Sequence, residues 1–346
     1  AGAAHHRRRR DRRTCRAPRG VLRGLGRLAG VRLVPHHGPL HRDVAQLLAQ
    51  GGRLREVPQR VALRHLGDVA QVRRRALRHA APRRGARRAL PRLPQRPLRQ
   101  VLPEVTEAKG ESRRRVGFFL GCAQSLLFST ESAATLRVLA HNACTVIAPK
   151  EVVCCGMPAT GYGRQDLVLA QARHNIALFE KTNAEIIITD CATCGSTLKA
   201  YAQLLADDRD WAVRAAAFSS KVQDVSEFLA SIQLEKPQGR IDARVTYHDP
   251  CHLRRGQGVW EQPRLLLKMI DGIEFIELPE ADWCCGSAGS QLITHYETSL
   301  KVLGRKMENL ERTQAGYIAS GCPGCQMQLN VGIRQRGLAV QVVHPI

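Results

Sequence analysis

The sequence has 346 residues and a formal net charge of +23, a balance that at first favours a nucleic-acid-binding protein. Residues 1–115 contain 31 Lys and Arg against 7 Asp and Glu, whereas residues 116–346 contain 22 against 23. The excess positive charge is confined to the first third, so we expect no nucleic-acid binding by residues 116–346. No run of 18 apolar residues occurs, and no transmembrane helix is predicted.

Residues 1–103 form an Arg-rich segment of low complexity that contains no Lys, Ser, Asn, Ile, Met, Phe, Tyr or Trp. A segment without aromatic or isoleucine side chains has few large groups with which to build a core. We therefore expect it to be disordered or a translation of GC-rich DNA in the wrong reading frame, with a folded basic domain as a third alternative. Residues 104–115 are interpreted as a linker.

From residue 116 onwards, short apolar strands alternate with helices, which predicts an α/β fold with parallel strands and crossover helices. In the first half of this region we predict strands at Val116–Leu120, Cys144–Ala148 and Ile186–Thr189, and helices at Thr130–His141 and around 165–182. In the second half we predict strands at Val245–Tyr247, Phe275–Leu278, Tyr317–Ala319 and Ala339–Val343.

The two halves are copies of one unit, 116–240 and 241–346, because five cysteines recur in the same order. The first set is Cys122, Cys154, Cys155, Cys191 and Cys194, and the second is Cys251, Cys284, Cys285, Cys322 and Cys325. The offsets are 129, 130, 130, 131 and 131 residues. An apolar helical pattern recurs with them, since Leu169, Ala172, Ile176 and Phe179 reappear as Leu300, Leu303, Met307 and Leu310.

Each repeated cysteine is expected in a loop that leaves the carboxyl end of a strand. In parallel sheets these ends share one edge, where ligands bind. Five thiols at one edge indicate a metal, because thiolates select iron–sulfur clusters, zinc or Cu(I). Five ligands with an adjacent pair favour an iron–sulfur cluster over tetrahedral zinc, with zinc or redox-active thiols as alternatives.

The sequence resembles the cysteine-rich CCG domain family, in the motifs VVCCG at 152–156, DWCCG at 282–286 and YHDPCHL at 247–253. This family includes iron–sulfur subunits of glycolate oxidase and of lactate-utilisation complexes, and the cysteine-rich subunit of heterodisulfide reductase. The resemblance implies that each copy binds a [4Fe-4S] cluster of the non-cubane kind through its five cysteines. Such subunits usually also carry two Cys-x-x-Cys-x-x-Cys-x-x-x-Cys-Pro motifs, but only Cys15 precedes Cys122 here.

The resemblance implies an electron-transfer subunit of a flavin-linked 2-hydroxy-acid dehydrogenase, with a flavoprotein and further iron–sulfur subunits as partners. The alternatives are a disulfide reductase similar to the cysteine-rich subunit of heterodisulfide reductase, and a zinc-stabilised binding module with a basic arm. The expected location is the cytoplasm, with attachment to the inner face of the membrane through the complex.

Among the remaining candidates, Cys144 is expected to be a core residue, since it has no counterpart in the second copy. His248 and His252 flank Cys251 and are expected either to tune the second centre or to pack as ordinary loop residues. His295 and His344 are expected on the surface.

Overall fold

The computed structural model of the chain describes residues 93–346. Predictions for residues 1–92, including Cys15, lie outside the described residues. Residues 93–103, the end of the Arg-rich segment, include the helix α1 (Leu98–Val101), and Leu98 of this helix is buried in the core of the first copy.

The first copy is built on a sheet of five strands in the order β1-β3-β2-β4-β5. All neighbouring strands are parallel except β1 and β3, which are antiparallel. The strands are β1 (Val105–Thr106), β2 (Arg114–Phe118), β3 (Cys144–Ile147), β4 (Ile186–Thr189) and β5 (Val222–Asp224). The helices are α2 (Cys122–Leu127), α3 (Ser129–His141), α4 (Met157–Gly161), α5 (Gln165–Glu180), α6 (Ala192–Lys199), α7 (Tyr201–Leu204), α8 (Ala212–Ser220) and α9 (Val225–Ser231).

The second copy is built on a parallel sheet of four strands in the order β7-β6-β8-β9. This order repeats β3-β2-β4-β5 of the first sheet, which confirms the tandem repeat of an α/β unit. The strands are β6 (Arg240–Tyr247), β7 (Asp271–Phe275), β8 (Tyr317–Ala319) and β9 (Gln341–Val343). The helices are α10 (Cys251–Gln257), α11 (Glu261–Lys268), α12 (Gln291–Thr294), α13 (Tyr296–Thr313) and α14 (Pro323–Arg336).

Each face of the first sheet has its own apolar core, because side chains alternate between faces along a strand. Ile187 packs in one cluster with Phe179, while Ile188 packs in the other with Leu139. Helices therefore cover both faces, and the strand ends remain the place where loops and helix starts can meet.

The predicted strand Phe275–Leu278 is wrong in position, since the strand is Asp271–Phe275. The Asp-Gly pair at its start is typical of a turn, but Gly272 adopts a φ of +85° at the start of the strand itself. The bounds of other strands need smaller corrections, and two strands were missed. The strand predicted at Val116–Leu120 is Arg114–Phe118, and the strand predicted at Val245–Tyr247 begins at Arg240. The last strand begins at Gln341 and not at Ala339. The strands Val105–Thr106 and Val222–Asp224 were not predicted.

Among residues 93–346, no helix is both long enough and apolar enough to cross a membrane.

Candidate metal centres

The repeated cysteines lie at the carboxyl ends of the strands, as the alternation of strands and helices predicts. Four of them, however, lie in the first turns of helices and not in loops. Cys122 begins α2 and Cys251 begins α10, while Cys194 and Cys325 lie in the first turns of α6 and α14. A helix N-terminus favours thiolates, because its free backbone N–H groups and its dipole stabilise negative charge.

The first centre consists of Cys122, Cys154, Cys155, Cys191 and Cys194. The Sγ atoms of Cys122 and Cys154 are 3.9 Å apart. Cys155 accepts hydrogen bonds from the thiols of its neighbours Cys154 and Cys194, which lower its pKa to about 5. Cys194 also interacts with Cys191, whose sulfur accepts a hydrogen bond from the Cys194 backbone N–H at 3.4 Å. The structure thus joins all five thiols in one continuous group.

The second centre consists of Cys251, Cys284, Cys285, Cys322 and Cys325. The Sγ atoms of Cys285 and Cys325 are 3.3 Å apart. Cys284 interacts with Cys285, and Cys322 with Cys325, through side-chain hydrogen bonds. Cys251 is further out, and its pKa is raised by burial and by the nearby Cys322 and Cys285.

Neighbouring thiols within one centre have pKa values that are shifted in opposite directions. In the first centre, the pKa of Cys154 is raised to about 12 and that of Cys194 is raised well above its usual value, while that of Cys155 is lowered. The split arises mainly because a protonated thiol donates a hydrogen bond to an ionised neighbour, and burial and repulsion between like charges then oppose further ionisation. A bound cationic metal group removes this conflict, since it allows every thiol to ionise. The donor set is therefore one that fits a metal or cluster.

In each centre, some of the cysteines are buried and others are exposed to solvent. Cys155, Cys191 and Cys194 are buried while Cys122 is exposed, and Cys285, Cys322 and Cys325 are buried while Cys251 and Cys284 are exposed. Each centre is thus buried on one side and exposed to solvent on another.

His248 is a buried candidate donor at the second centre. Its ring lies within 4.8 Å of the sulfurs of Cys285 and Cys325, measured between ligand atoms. Neither ring nitrogen has a nitrogen or oxygen partner among the described residues, and the ring lowers the pKa of Cys285 through a side-chain hydrogen bond. The aligned position of the first copy is the apolar Phe119, so the two centres differ in this respect. The ring of His252 lies beside Cys251, with Nδ1 3.7 Å from the cysteine sulfur.

Two predictions for other residues have opposite outcomes. Cys144 is fully buried in β3, which confirms it as a core residue. The expectation that His344 lies on the surface is wrong. It is buried, its Nε2–H donates to the carbonyl of Asp190 at 3.0 Å, and its Nδ1 accepts from the N–H of Ile346 at 3.2 Å. Burial lowers the pKa of His344 and so favours its neutral form.

Three residues near the centres were missed by sequence reasoning, namely Arg99, Thr193 and Lys306. Thr193 lies between the two cysteines of the first Cys-x-x-Cys turn, and its Oγ1 is 3.5 Å from the sulfur of Cys322. Its neighbour Ala192 donates its N–H to the carbonyl of Gly321 at 2.9 Å. The two centres are therefore adjacent.

Known proteins share the sequence pattern on which these centres rest. The cysteine-rich domain family, CCG, matches residues 116–199 and 245–330. The probable glycolate oxidase iron–sulfur subunit of Bacillus subtilis is 37% identical over 292 residues, with 80% of this chain and 66% of that protein covered. Lactate utilization protein A of Oceanobacillus iheyensis is 31% identical, with 66% of this chain and 94% of that protein covered. A subunit of fumarate reductase (CoM/CoB) from Methanothermobacter marburgensis is 35% identical, with 65% of this chain and 43% of that protein covered.

Two facts follow from the fraction of each protein that the alignments cover. The chain spans less than two thirds of the length of the Bacillus subtilis relative and less than half of the Methanothermobacter one. The match to the Bacillus subtilis subunit covers 80% of this chain, whereas residues 116–346 are 231 of 346, or about 67%. The matched region therefore begins ahead of residue 116. The chain belongs to the CCG cysteine-rich family of iron–sulfur proteins, together with glycolate oxidase iron–sulfur subunits and lactate utilization protein A.

Proposed function

We propose that this chain is the iron–sulfur electron-transfer subunit of a flavin-linked dehydrogenase that acts on a 2-hydroxy acid of the glycolate or lactate type. The observation that carries this proposal is the convergence of ten thiols into two adjacent groups, each with one side open to solvent. The proposal is supported by the similarity to a probable glycolate oxidase iron–sulfur subunit and to lactate utilization protein A.

Each group of five thiols holds one [4Fe-4S] cluster of the non-cubane kind. A bound cluster accepts and donates single electrons. Five thiolates exceed what a tetrahedral zinc ion takes, and the adjacent pair Cys154-Cys155 can reach different irons of one cluster more readily than one small ion. The buried cysteines would hold each cluster on the side that faces the core. On the side exposed to solvent, the ligand is Cys122 in the first centre, and the ligands are Cys251 and Cys284 in the second.

The contact between the copies provides the route by which an electron crosses the chain. Cys191 and Cys194 belong to the first centre and Cys322 to the second, and Thr193 contacts Cys322 directly. A short path of covalent bonds and one contact thus joins the two centres.

The partners are a flavoprotein subunit that oxidises the 2-hydroxy acid and further iron–sulfur subunits or modules. This part of the proposal rests on the relatives that are named as subunits. The cytoplasmic location and the attachment to a membrane through the complex stay predictions.

The test is to purify the tagged full chain anaerobically from its native host and to follow its EPR spectrum. We expect a flavoprotein to co-purify, and glycolate or lactate to reduce the iron–sulfur centres of the complex. If dithionite reduces the centres while neither hydroxy acid does, the proposed substrate class is wrong.

A second candidate is a disulfide reductase, which is favoured by the 35% identity to the fumarate reductase (CoM/CoB) subunit. Here the open side of one centre would contact a disulfide. Re-oxidation of the reduced chain by a small organic disulfide, at a rate above that of a Cys251→Ala variant, would favour this candidate over the first.

A further inference from the structure

Arg99 is a cation held close to the first centre without an acidic partner. Its guanidinium donates to the carbonyl oxygen of Val152 at 2.5 Å and to that of Leu120 at 2.7 Å. Its Nε is buried and has no hydrogen-bond partner among the described residues. The groups that act on it electrostatically are the thiols of Cys122, Cys154 and Cys194.

Lys306 is the corresponding cation of the second centre. Its side chain is fully buried, and its Nζ donates to the carbonyl oxygens of Glu280 at 2.6 Å and Ala281 at 3.0 Å. Burial lowers its pKa to about 8, and the largest opposing influence is the thiol of Cys285. At neutral pH the ammonium is therefore still mainly protonated.

No carboxylate among residues 93–346 forms an ion pair with either cation. Asp249 and Asp282 act on Lys306 from a distance, but Asp249 is bound by Arg254 and Arg264, and Asp282 by Arg255. An unpaired buried charge is costly, and folded proteins retain one where an opposite charge is present in the working state. The Glu280 carboxylate also acts on Lys306, but it is already paired with Arg305. The negative charge left without a cation near Arg99 and near Lys306 is therefore that of the thiolates of the adjacent centre.

A comparison of the two copies distinguishes the electrostatic role of Lys306 from a role in holding the adjacent loop in place. Lys306 aligns with Asn175 of the first copy, at the offset of 131 residues that relates the flanking helix and the Cys-x-x-Cys turn. Asn175 is also fully buried, and its amide bonds the same loop, to the carbonyl of Cys154 and the N–H of Val153. A neutral side chain is thus sufficient to anchor this loop. In the first copy the positive charge comes from Arg99, which lies outside the repeat.

We propose that Arg99 and Lys306 are the counter-cations of the first and the second centre, and that each holds the reduction potential of its own centre up. A nearby positive charge stabilises the more negative, reduced state of a cluster. The two cations do not occupy equivalent positions of the repeat, so the reduction potential of each centre is set by a different part of the chain. This inference rests on the proposed iron–sulfur function.

The experiment replaces each cation with a neutral side chain in the full chain, as Arg99→Gln and Lys306→Gln. Two exposed cations on the same segments serve as matched controls, as Arg96→Gln and Lys301→Gln. Midpoint potentials are measured by EPR-monitored redox titration. The two centres are told apart in a Cys285→Ala background, which keeps only the first, and in a Cys155→Ala background, which keeps only the second. Iron and sulfide are counted in every variant.

We expect Arg99→Gln to lower the potential of the first centre alone and Lys306→Gln that of the second alone. The expected change is at least tenfold in the reduction equilibrium, which is about 59 mV for a one-electron couple. Loss of iron from the affected centre alone also supports the inference, provided that Arg99→Lys or Lys306→Arg restores it.

Two results overturn the inference and leave the proposed function intact. One is a potential equal to that of the control variants while iron and sulfide are retained. The other is a failure of the charge-retaining variants to restore either the potential or the iron. Absence of iron from the unaltered chain would instead refute the proposed function.

Discussion

The Oγ1 atom of Thr193 lies 3.5 Å from the sulfur of Cys322, so the Cys-x-x-Cys turn of the first copy contacts that of the second. The backbone supports this contact, because Ala192 donates its N–H to the carbonyl of Gly321. Gln257 adds a further link, since its Nε2 donates to the carbonyl of Ala192 at 2.9 Å. Gene duplication alone does not require such contact, because each copy has its own sheet and its own cysteines.

The first prediction concerns magnetic coupling. Because the centres are adjacent, two paramagnetic clusters in one chain should interact and give a split or broadened EPR spectrum. The variant Cys285→Ala should lose the second cluster and leave the unsplit spectrum of the first. A spectrum of the full chain that equals the sum of the two separate spectra would contradict the observed adjacency.

The second prediction concerns the independence of metal binding. Cys155→Ala and Cys285→Ala should each lower the iron content by about half, because each removes a buried ligand from one centre only. Cys144→Ala is the control, since this buried thiol lies in β3 and belongs to neither centre. The measurement is the iron content of all three variants after anaerobic purification. Loss of iron in Cys144→Ala, or complete loss in either of the others, would contradict the assignment.

The third prediction explains why glycine follows the paired cysteines. Gly286 has a φ of +85°, and a Cβ atom there would lie 2.5 Å from the backbone oxygen of Ser299. Gly156 has a φ of +102°, but its nearest neighbour is a Val168 methyl group at 3.2 Å. Both substitutions to Ala should cost about 1–2 kcal/mol from left-handed strain. Gly286→Ala should cost roughly a further 1–3 kcal/mol, because the backbone has to move.

Gly304 provides the control for this comparison. It lies within α13, and a Cβ atom there would meet nothing within 4 Å. Gly304→Ala should therefore raise the stability by about 0.5–1 kcal/mol. Urea unfolding of the three variants gives the order of their stabilities. An equal loss of stability in Gly156→Ala and Gly286→Ala would show that the close approach to Ser299 is unimportant.

The fourth prediction is a pH dependence. Burial lowers the pKa of His344 to about 4 from an ordinary value of 6.5, against a smaller opposing influence of the Asp190 carbonyl and of Glu131. Between these two values the unfolded chain binds more protons than the folded chain, so His344 makes the fold less stable as the pH falls from 6.5 towards 4. The slope is at most about 1.4 kcal/mol per pH unit.

His344→Gln should flatten this part of the stability curve, because a glutamine amide can donate to Asp190 and does not titrate. The measurement is the urea midpoint of both proteins from pH 4 to pH 6.5. Parallel curves would show that His344 is not the group responsible.

The sequence predicted the convergence of the ten cysteines well, for a physical reason. Parallel strands present their carboxyl ends at one edge, and residues such as Cys122 and Cys154 each follow such an end although 31 residues separate them. The position of β4 could be predicted because Ile186–Thr189 is a short apolar run followed by the polar Asp190. β7 was misplaced because its Asp271-Gly272 start is typical of a turn.

The electrostatic surroundings of the centres could not be predicted. Arg99 belongs to a segment whose composition does not indicate a core, yet it bonds two carbonyls beside the first centre. Lys306 lies on an amphipathic helix, where a lysine is normally exposed, and only the tertiary structure shows it buried. His344 follows the last strand, and its burial depends on contact with the first copy.

Metal and sulfide analysis of the full chain, purified without oxygen, tests the central claim most directly. The account predicts roughly eight iron and eight sulfide per chain, four of each for every copy, with no stoichiometric zinc. About one zinc per copy, without iron or sulfide, would contradict it.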